Sequence, residues 1–195
     1  MSGEVKRDKQ NGPRPIEGVG LLASSYTSVM QESIVRAWTT NDRVTVFLVE
    51  RMPMALWEAG VPGQPRKTMR MIAAHLHNVR CRWIKTLGSE HGIPVPKQVD
   101  RHTVTSEELV KALGESGAGI RRVLELGSEH GGTVPDSKGY VWRNLPLDVG
   151  HVLGYSVAHE GHHRGQIVML ARQMGMRLPG EVTDGLWQWT KLSRG

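Results

Sequence analysis

His159, His162 and His163 put three of the chain's nine histidines inside one short stretch, Ala158-His159-Glu160-Gly161-His162-His163-Arg164-Gly165-Gln166. At about 100° per residue on an α-helix, His159 and His163 point only ~40° apart and stand one turn apart in height. That is a two-ligand clamp for one metal ion. Neutral imidazole is the commonest protein ligand for zinc and its first-row neighbours, and a helix holds two of them at fixed separation with little ordering cost. A lone His at the edge of a core is explained by a hydrogen bond to a carbonyl; an i, i+4 pair on an inner face points to metal.

A helical projection ranks the three. With Val149 as origin, Val152, Ser156, Ile167, Leu170, Ala171 and Met174 form one stripe centred near ~350°. His163 falls at ~320° and His159 at ~280°, on or beside that stripe, whereas His162 at ~220° and His151 at ~200° look toward the boundary or solvent. Glu160, at ~20°, lands on the interior side. A buried carboxylate is costly unless paired, so Glu160 is expected as a partner of the site or as the mark of a locally wet interior.

The element that carries this stretch reads as a long helix from Leu147 to Met174, opened by Asn144 and Pro146 and closed by Arg172 in its last turn and Gly175 beyond it. A second helix, Thr68 to Leu87, has a regular apolar stripe from Met69 to Leu87 with His75 on one margin and His77 on the other. Periodicity does not choose between them, and either reaches a metal on the last helix if the two helices are neighbours. Cys81 lies on the same helix and is a possible soft ligand, although a buried structural Cys is commoner. A first helix is expected from about Glu32 to Arg51, stopped by Pro53, with Thr39-Thr40-Asn41-Asp42 as a break or a new N-cap. Thr105 and Glu108 have capping-box spacing and start a further helix, in which Gly114, Gly117 and Gly119 each cost up to ~1 kcal/mol relative to Ala unless close packing compensates. Gly60–Pro65, Gly88–Arg101 and Gly127–Gly139 read as loops, and Tyr140-Val141-Trp142 as a short extended piece. No strand set and no repeat emerges. The expected fold is all-α, a four-helix bundle with long loops, formed by one domain over residues 21–195 and preceded by a mobile polar tail over residues 1–20.

Composition sets the frame. The 195 residues suffice for one domain with a real core, and with a single Phe that core relies on Leu, Val, Ile, Met and Trp. One cysteine excludes an intramolecular disulfide, no apolar run reaches the ~18 residues of a membrane span, and Met1 to Pro15 lacks the apolar segment of a signal peptide. A cytoplasmic location is expected. Net charge is +6 and the pI is near 9.8, but the basic residues are scattered and no nucleic-acid-binding motif or aromatic interleaving accompanies them. The charge argues less for nucleic acid than for attraction of an anionic substrate.

The pattern His159-x-x-x-His163-Arg164-Gly165-Gln166, the spacing His75-x7-Trp83 and the run Arg66-Lys67-Thr68 resemble the DinB/YfiT-like superfamily of metal-binding four-helix bundles, over about Arg36 to Arg177. The resemblance implies one divalent ion, often zinc or nickel and here also iron, held by one His of the second helix and two of the last: His75, His159 and His163. His77 and His162 stand as substitutes beside them. Many members carry a glutamate or other polar residue five positions beyond the second-helix His, where this chain has Arg80. Members of known activity use low-molecular-weight thiols as cosubstrates in transferase or isomerase reactions, and bundles of this kind often pair, so a homodimer is expected. Trp187-Gln188-Trp189 lies outside the shared part and is expected to pack across the bundle or a partner chain.

Three neutral ligands leave the ion its +2 charge and an open position, the layout of catalytic rather than structural sites. Such an ion pulls the pKa of a coordinated water toward ~7 and deprotonates a coordinated thiol. Gln166 is placed to orient a ligand, and Glu160 or Tyr155 to move a proton. The expected function is a metal-dependent enzyme of thiol-dependent transferase or hydrolase type acting on a small molecule; the alternative is a non-catalytic metal-binding or stress-response protein.

Overall fold

The computed structural model describes residues 17–141 and 143–194, with side chains from residue 29 onward. Four long helices form the bundle: α1 (Glu17–Glu50), α3 (Met69–Leu87), α4 (Ser106–Glu129) and α5 (Val149–Gln173). Short elements decorate it: α2 (Met54–Trp57), the strands β1 (Gly60–Val61) and β2 (Gln64–Thr68), α6 (Gly180–Gly185) and α7 (Trp189–Leu192). Both α1 and α3 pack on α4 and on α5, so α3 and α5 are neighbours, as a shared metal requires. The fold is the expected all-α bundle. Among the described residues, no helix is long and apolar enough to cross a membrane.

The helix ends follow the sequence signals closely. Thr68 caps α3 by accepting from the Met71 N–H at 3.4 Å. At α4 the Glu108 N–H donates to Thr105 Oγ1 (3.2 Å) while the Thr105 N–H donates to Glu108 Oε2 (2.9 Å), a complete capping box of the kind that stabilises a helix by about 1 kcal/mol. The start of α5 lies at Asp148, which accepts from the His151 N–H at 3.1 Å. Its end is a Schellman motif: the Met176 N–H reaches Ala171 O, the Gly175 N–H reaches Arg172 O, and Gly175 takes φ 70°.

Several expectations are corrected. α1 starts at Glu17, well before Glu32, so residues 17–20 are helical rather than part of a tail; residues 1–16 lie outside the described residues. The same helix runs through Thr39-Thr40-Asn41-Asp42 without a break. Thr39 and Thr40 turn their hydroxyls back to the carbonyls of Val35 and Arg36 (2.9 Å each), and the next two side chains are held by other helices. The loop at residues 60–65 is a small antiparallel hairpin turned by Pro62 and Gly63 (φ 72°), too short to display an alternating pattern. Tyr140 and Val141 form no strand, and Trp142 is outside the described residues. Trp187 does not pack on the bundle; it is 83% exposed on the turn between α6 and α7, and Trp189 is 37% exposed.

The core is divided along the bundle axis. One apolar cluster gathers Leu48, Met69, Leu76, Leu109 and Ile167; the other gathers Trp38, Ile84, Ile120, Leu124 and Val152. Between them lies a layer of polar and charged side chains from α1, α3 and α5, joined by backbone of α4.

Candidate metal centre

The helix α5 carries two i, i+4 pairs that are one residue out of step, His159/His163 and Glu160/Arg164. One residue is about 100° of rotation, so the two pairs look in different directions. The histidines face α3 and the charged pair faces the interior.

His163 Nε2 and His159 Nε2 lie 3.2 Å apart, and His75 brings a third ring nitrogen so that the three donors fall within 4.8 Å of one another. Among the described residues this is the one such group of metal-binding side chains. Two ligands at the usual zinc–nitrogen length in a tetrahedral arrangement stand about 3.3 Å apart, so the His159–His163 spacing fits one ion. All three imidazoles are half-buried. The His163 Nδ1–H donates to Gln166 Oε1 at 2.7 Å, which leaves Nε2 with a free lone pair directed at the cluster.

The electrostatics favour neutral rings. Burial, then the neighbouring His163 and His159, and then Arg82 and Lys67 push His75 down to about 4 from 6.5. Burial lowers His159 and His163 as well, each resisting the protonation of its neighbours, with the Gln166 hydrogen bond partly offsetting the fall at His163. Neutral imidazole is the form that binds a metal, and the donor set of three nitrogens suits zinc, nickel or iron.

Other residues singled out by the sequence fall into place around this cluster. His162 is exposed, its ring centroid 5.0 Å from that of His163. His77 is fully buried and both ring nitrogens are engaged, Nδ1 with Ser116 Oγ and Nε2 with Lys97 O at 3.0 Å each, so it is a satisfied core histidine and not a substitute ligand. Cys81 Sγ sits 3.3 Å from His77 Nε2, away from the triad, and burial pushes its thiol up to about 11. Tyr155 stacks nearly parallel to His159, with ring centroids 6.1 Å apart, and meets Trp83 edge-on at 5.3 Å.

Glu160 has another use than proton transfer at the histidines. Its carboxylate is 2% exposed and fully bonded: Arg80 donates from Nε to Oε1 (2.6 Å) and from Nη2 to Oε2 (2.9 Å), and Asn41 Nδ2 and Thr45 Oγ1 donate to Oε2 at 2.8 and 2.7 Å. Arg164 completes the layer with bonds to Thr45 Oγ1 (2.6 Å) and Asn41 Oδ1 (2.9 Å), while Arg80 Nη1 reaches Asp42 Oδ1 at 2.5 Å and Leu113 O at 3.1 Å. Two arginines therefore face two carboxylates. Burial opposes ionisation of Glu160, but the Arg80 guanidinium outweighs it and holds the carboxyl below its usual range. Arg80 also lies 5.0 Å over the Trp38 ring, whose Nε1–H donates to Gly117 O at 2.8 Å. The carbonyl of Leu113 and the Gly117 backbone bring α4 into the layer, so all four helices are tied at one level.

The sequence held the signal for this layer. Asn41, Asp42 and Thr45 are weak helix formers at i, i+1 and i+4 in a helix that does not break, and Arg80 interrupts the apolar face of α3. Polar residues that a helix tolerates on its buried side must find partners on other helices.

Two clefts open on either side of His75. One, of about 390 Å³, is walled by Val79, Trp83, Tyr140 and Tyr155 and reaches His159. The other, of about 540 Å³, is walled by β2 and the start of α3 and reaches His163. The histidine cluster is thus accessible from both.

Comparison with known proteins agrees with this architecture. The uncharacterized protein YrdA of Bacillus subtilis (strain 168) is 30% identical over 59 residues, 30% of this chain and 34% of that protein, so the match spans about a third of the relative's length. No solved structure matches the chain. A family model described as the DinB family matches residues 26–190, which takes in most of α1, all of α3, α4 and α5, and every residue of the histidine cluster. The chain belongs to the DinB family.

Proposed function

We propose that the chain is a metal-dependent enzyme acting on a small molecule, with one divalent ion held by His75, His159 and His163 and chemistry of the thiol-dependent transferase or hydrolase type. The observation that carries this reading is the convergence of three neutral imidazole nitrogens on one point that two clefts reach. A structural ion is normally closed by four protein ligands, whereas here no fourth His, Cys or carboxylate joins the group among the described residues. A non-catalytic ion tying α3 to α5 would need neither the open position nor the clefts. Bound there, the ion supplies Lewis acidity, making a thiol or water ionise near neutral pH.

The protein's own residues do the rest. Gln166 fixes the tautomer and orientation of His163. His75, on α3, meets the pair on α5 across the helix interface, with ring centroids 4.7 Å from His163 and 5.4 Å from His159. The charged layer holds those helices in register one residue away. Tyr155 and Trp83 wall the side from which an apolar substrate approaches.

Elemental analysis of untagged protein tests the reading. Wild type is expected to carry about one equivalent of zinc, nickel or iron, and His75→Ala, His159→Ala and His163→Ala to lose it while the helical circular-dichroism spectrum persists. Metal retained in all three variants, or none taken up from Zn²⁺, Ni²⁺ or Fe²⁺, would sink the site. A screen of low-molecular-weight thiols against loaded wild type then separates transferase from hydrolase chemistry.

A further inference from the structure

The two clefts beside His75 differ in chemistry. The one reaching His159 is aromatic, with Arg82 as its charged residue; the one reaching His163 carries Arg66, Lys67 and Arg101. Neither cleft is lined by an Asp or a Glu. Among the described residues, moreover, none of these four cations has a carboxylate within 4 Å, whereas the nearby Arg70 is paired with Glu58. A basic side chain exposed on a convex surface is satisfied by water. Here Arg66 and Arg101 are exposed and Lys67 half-buried, but all three line one concave wall, from β2 and from the loop before α4, where their fields add and favour an entering anion.

The start of α3 adds to the same field. Lys67 precedes the cap Thr68, and Met71 in the first turn lines the cleft, so the positive end of the helix dipole borders it. A doubly charged ion held by three neutral ligands would stand at the cleft's inner end, where no acidic residue lines the wall and where Glu160, the carboxylate beside His159 in sequence, is already paired with Arg80 and Arg164. An anion entering the cleft would meet that charge as well as the three cations.

We infer that the cleft formed by Arg66, Lys67 and Arg101 is an anion subsite, which holds the carboxylate or phosphate group of a small cosubstrate and directs the rest of that molecule at the histidine centre. The aromatic cleft across His75 is left for an uncharged or aromatic second substrate. The inference rests on the reading above for the use of that anion beside the centre, while the subsite itself is built from residues outside the histidine cluster.

Metal-free and zinc-loaded protein, the loading verified by elemental analysis, are titrated side by side with succinate and with inorganic phosphate by calorimetry. Binding of one or both probes is expected, tighter in the zinc-loaded form and weakening steeply with added NaCl. Each of Lys67→Gln and Arg101→Gln should weaken it about tenfold or more, the usual worth of a charge-assisted hydrogen bond. Arg172→Gln, an exposed cation near the end of α5, should leave it unchanged. A preference of tenfold for one probe names the group as carboxylate or phosphate. No binding of either probe by zinc-loaded protein overturns the anion subsite and leaves the metal reading intact, as does equal weakening in all three variants. Failure to take up zinc overturns the metal reading, and probe binding by the metal-free protein that is lost in Lys67→Gln and Arg101→Gln still upholds the subsite.

Discussion

Glu160 and His159 are adjacent in sequence and sit on one rigid helix, yet Glu160 has both oxygens bonded and is 2% exposed, while His159 is half-buried and borders an open cleft. The charged layer is complete without any ligand. Its two arginines and two carboxylates balance, and among the described residues the buried side-chain polar atoms without a partner, Arg70 Nε and Ser128 Oγ, both lie outside it. The histidine cluster is incomplete: three imidazoles keep lone pairs and resist protonation. The difference teaches that one helix can present a finished polar network and an unfinished one side by side, and that only the unfinished one is a site. Buried ionisable groups are therefore poor guides to function until their partners are counted.

The largest expected effect breaks the finished side. Glu160→Gln keeps the shape and removes the charge, leaving Arg80 and Arg164 buried against Asp42 alone. Breaking a buried pair by removing one partner costs about 3–5 kcal/mol. His159→Ala, one residue away, should change the stability of the metal-free protein by about 1 kcal/mol or less, because the ring is half-solvated and has no obligatory partner. Urea unfolding of the two metal-free variants reads the contrast directly. Comparable losses in both would show that the layer is not the keystone described here.

Next in size is the close approach that admits Asp42 to the layer. A Cβ on Gly117 would lie 2.5 Å from Asp42 Oδ2, so Gly117→Ala must displace either the carboxylate or α4, at about 1–3 kcal/mol. Gly114, three residues earlier on the same helix, has nothing within 4 Å of its would-be Cβ and is exposed. Gly114→Ala should therefore stabilise by up to about 1 kcal/mol through helix propensity alone. Thermal unfolding of the pair gives opposite signs if the packing is as described.

On the unfinished side, Gln166→Ala removes the acceptor that orients His163. Metal affinity, measured by competition with a chelator, should weaken about 10–100-fold while the urea midpoint of the metal-free protein stays put. An unchanged affinity would make Gln166 an ordinary helix residue.

The unequal legibility of the two regions follows from the same contrast. His159 and His163 were readable because both members of the pair lie on one helix, where spacing fixes direction; His75 and His77 stayed unresolved because each flanks the apolar stripe of α3 and only the neighbouring helices distinguish them. α4 supplies Ser116 to His77, and α5 supplies the facing pair to His75. The capping box at Thr105 and the Gly175 stop are local and were legible. The hairpin at β1 and β2 lacks the length for a period, and the early start of α1 falls in a Gly-containing stretch with no helical periodicity. The layer of Asn41, Thr45, Arg80, Glu160 and Arg164 was illegible as a unit because the bonds that join its helices link residues far apart in the chain, Arg80 and Glu160 by 80 and Asn41 and Glu160 by 119, although the oddity of each polar residue on an apolar face was visible singly.

The smallest effect distinguishes the regions by pH. In the metal-free protein His75 titrates near 4, below its usual 6.5, so as the pH falls from 6.5 toward 4 the unfolded chain takes up a proton that the folded chain refuses, and stability drops across that window. Glu160 is shifted downward from 4.5 for the opposite reason: its ionised form is the one the fold holds, so its contribution is intact above 4.5 and is lost only as the pH falls further. Acidification should thus erode stability in two stages, a mild one from the half-exposed imidazoles and then a steep one from the layer. His75→Asn should remove part of the first stage and leave the second untouched. If the variant instead shifts the acid limb below 4.5, the imidazole cluster and the charged layer are coupled through α3, and the independence of the two regions fails.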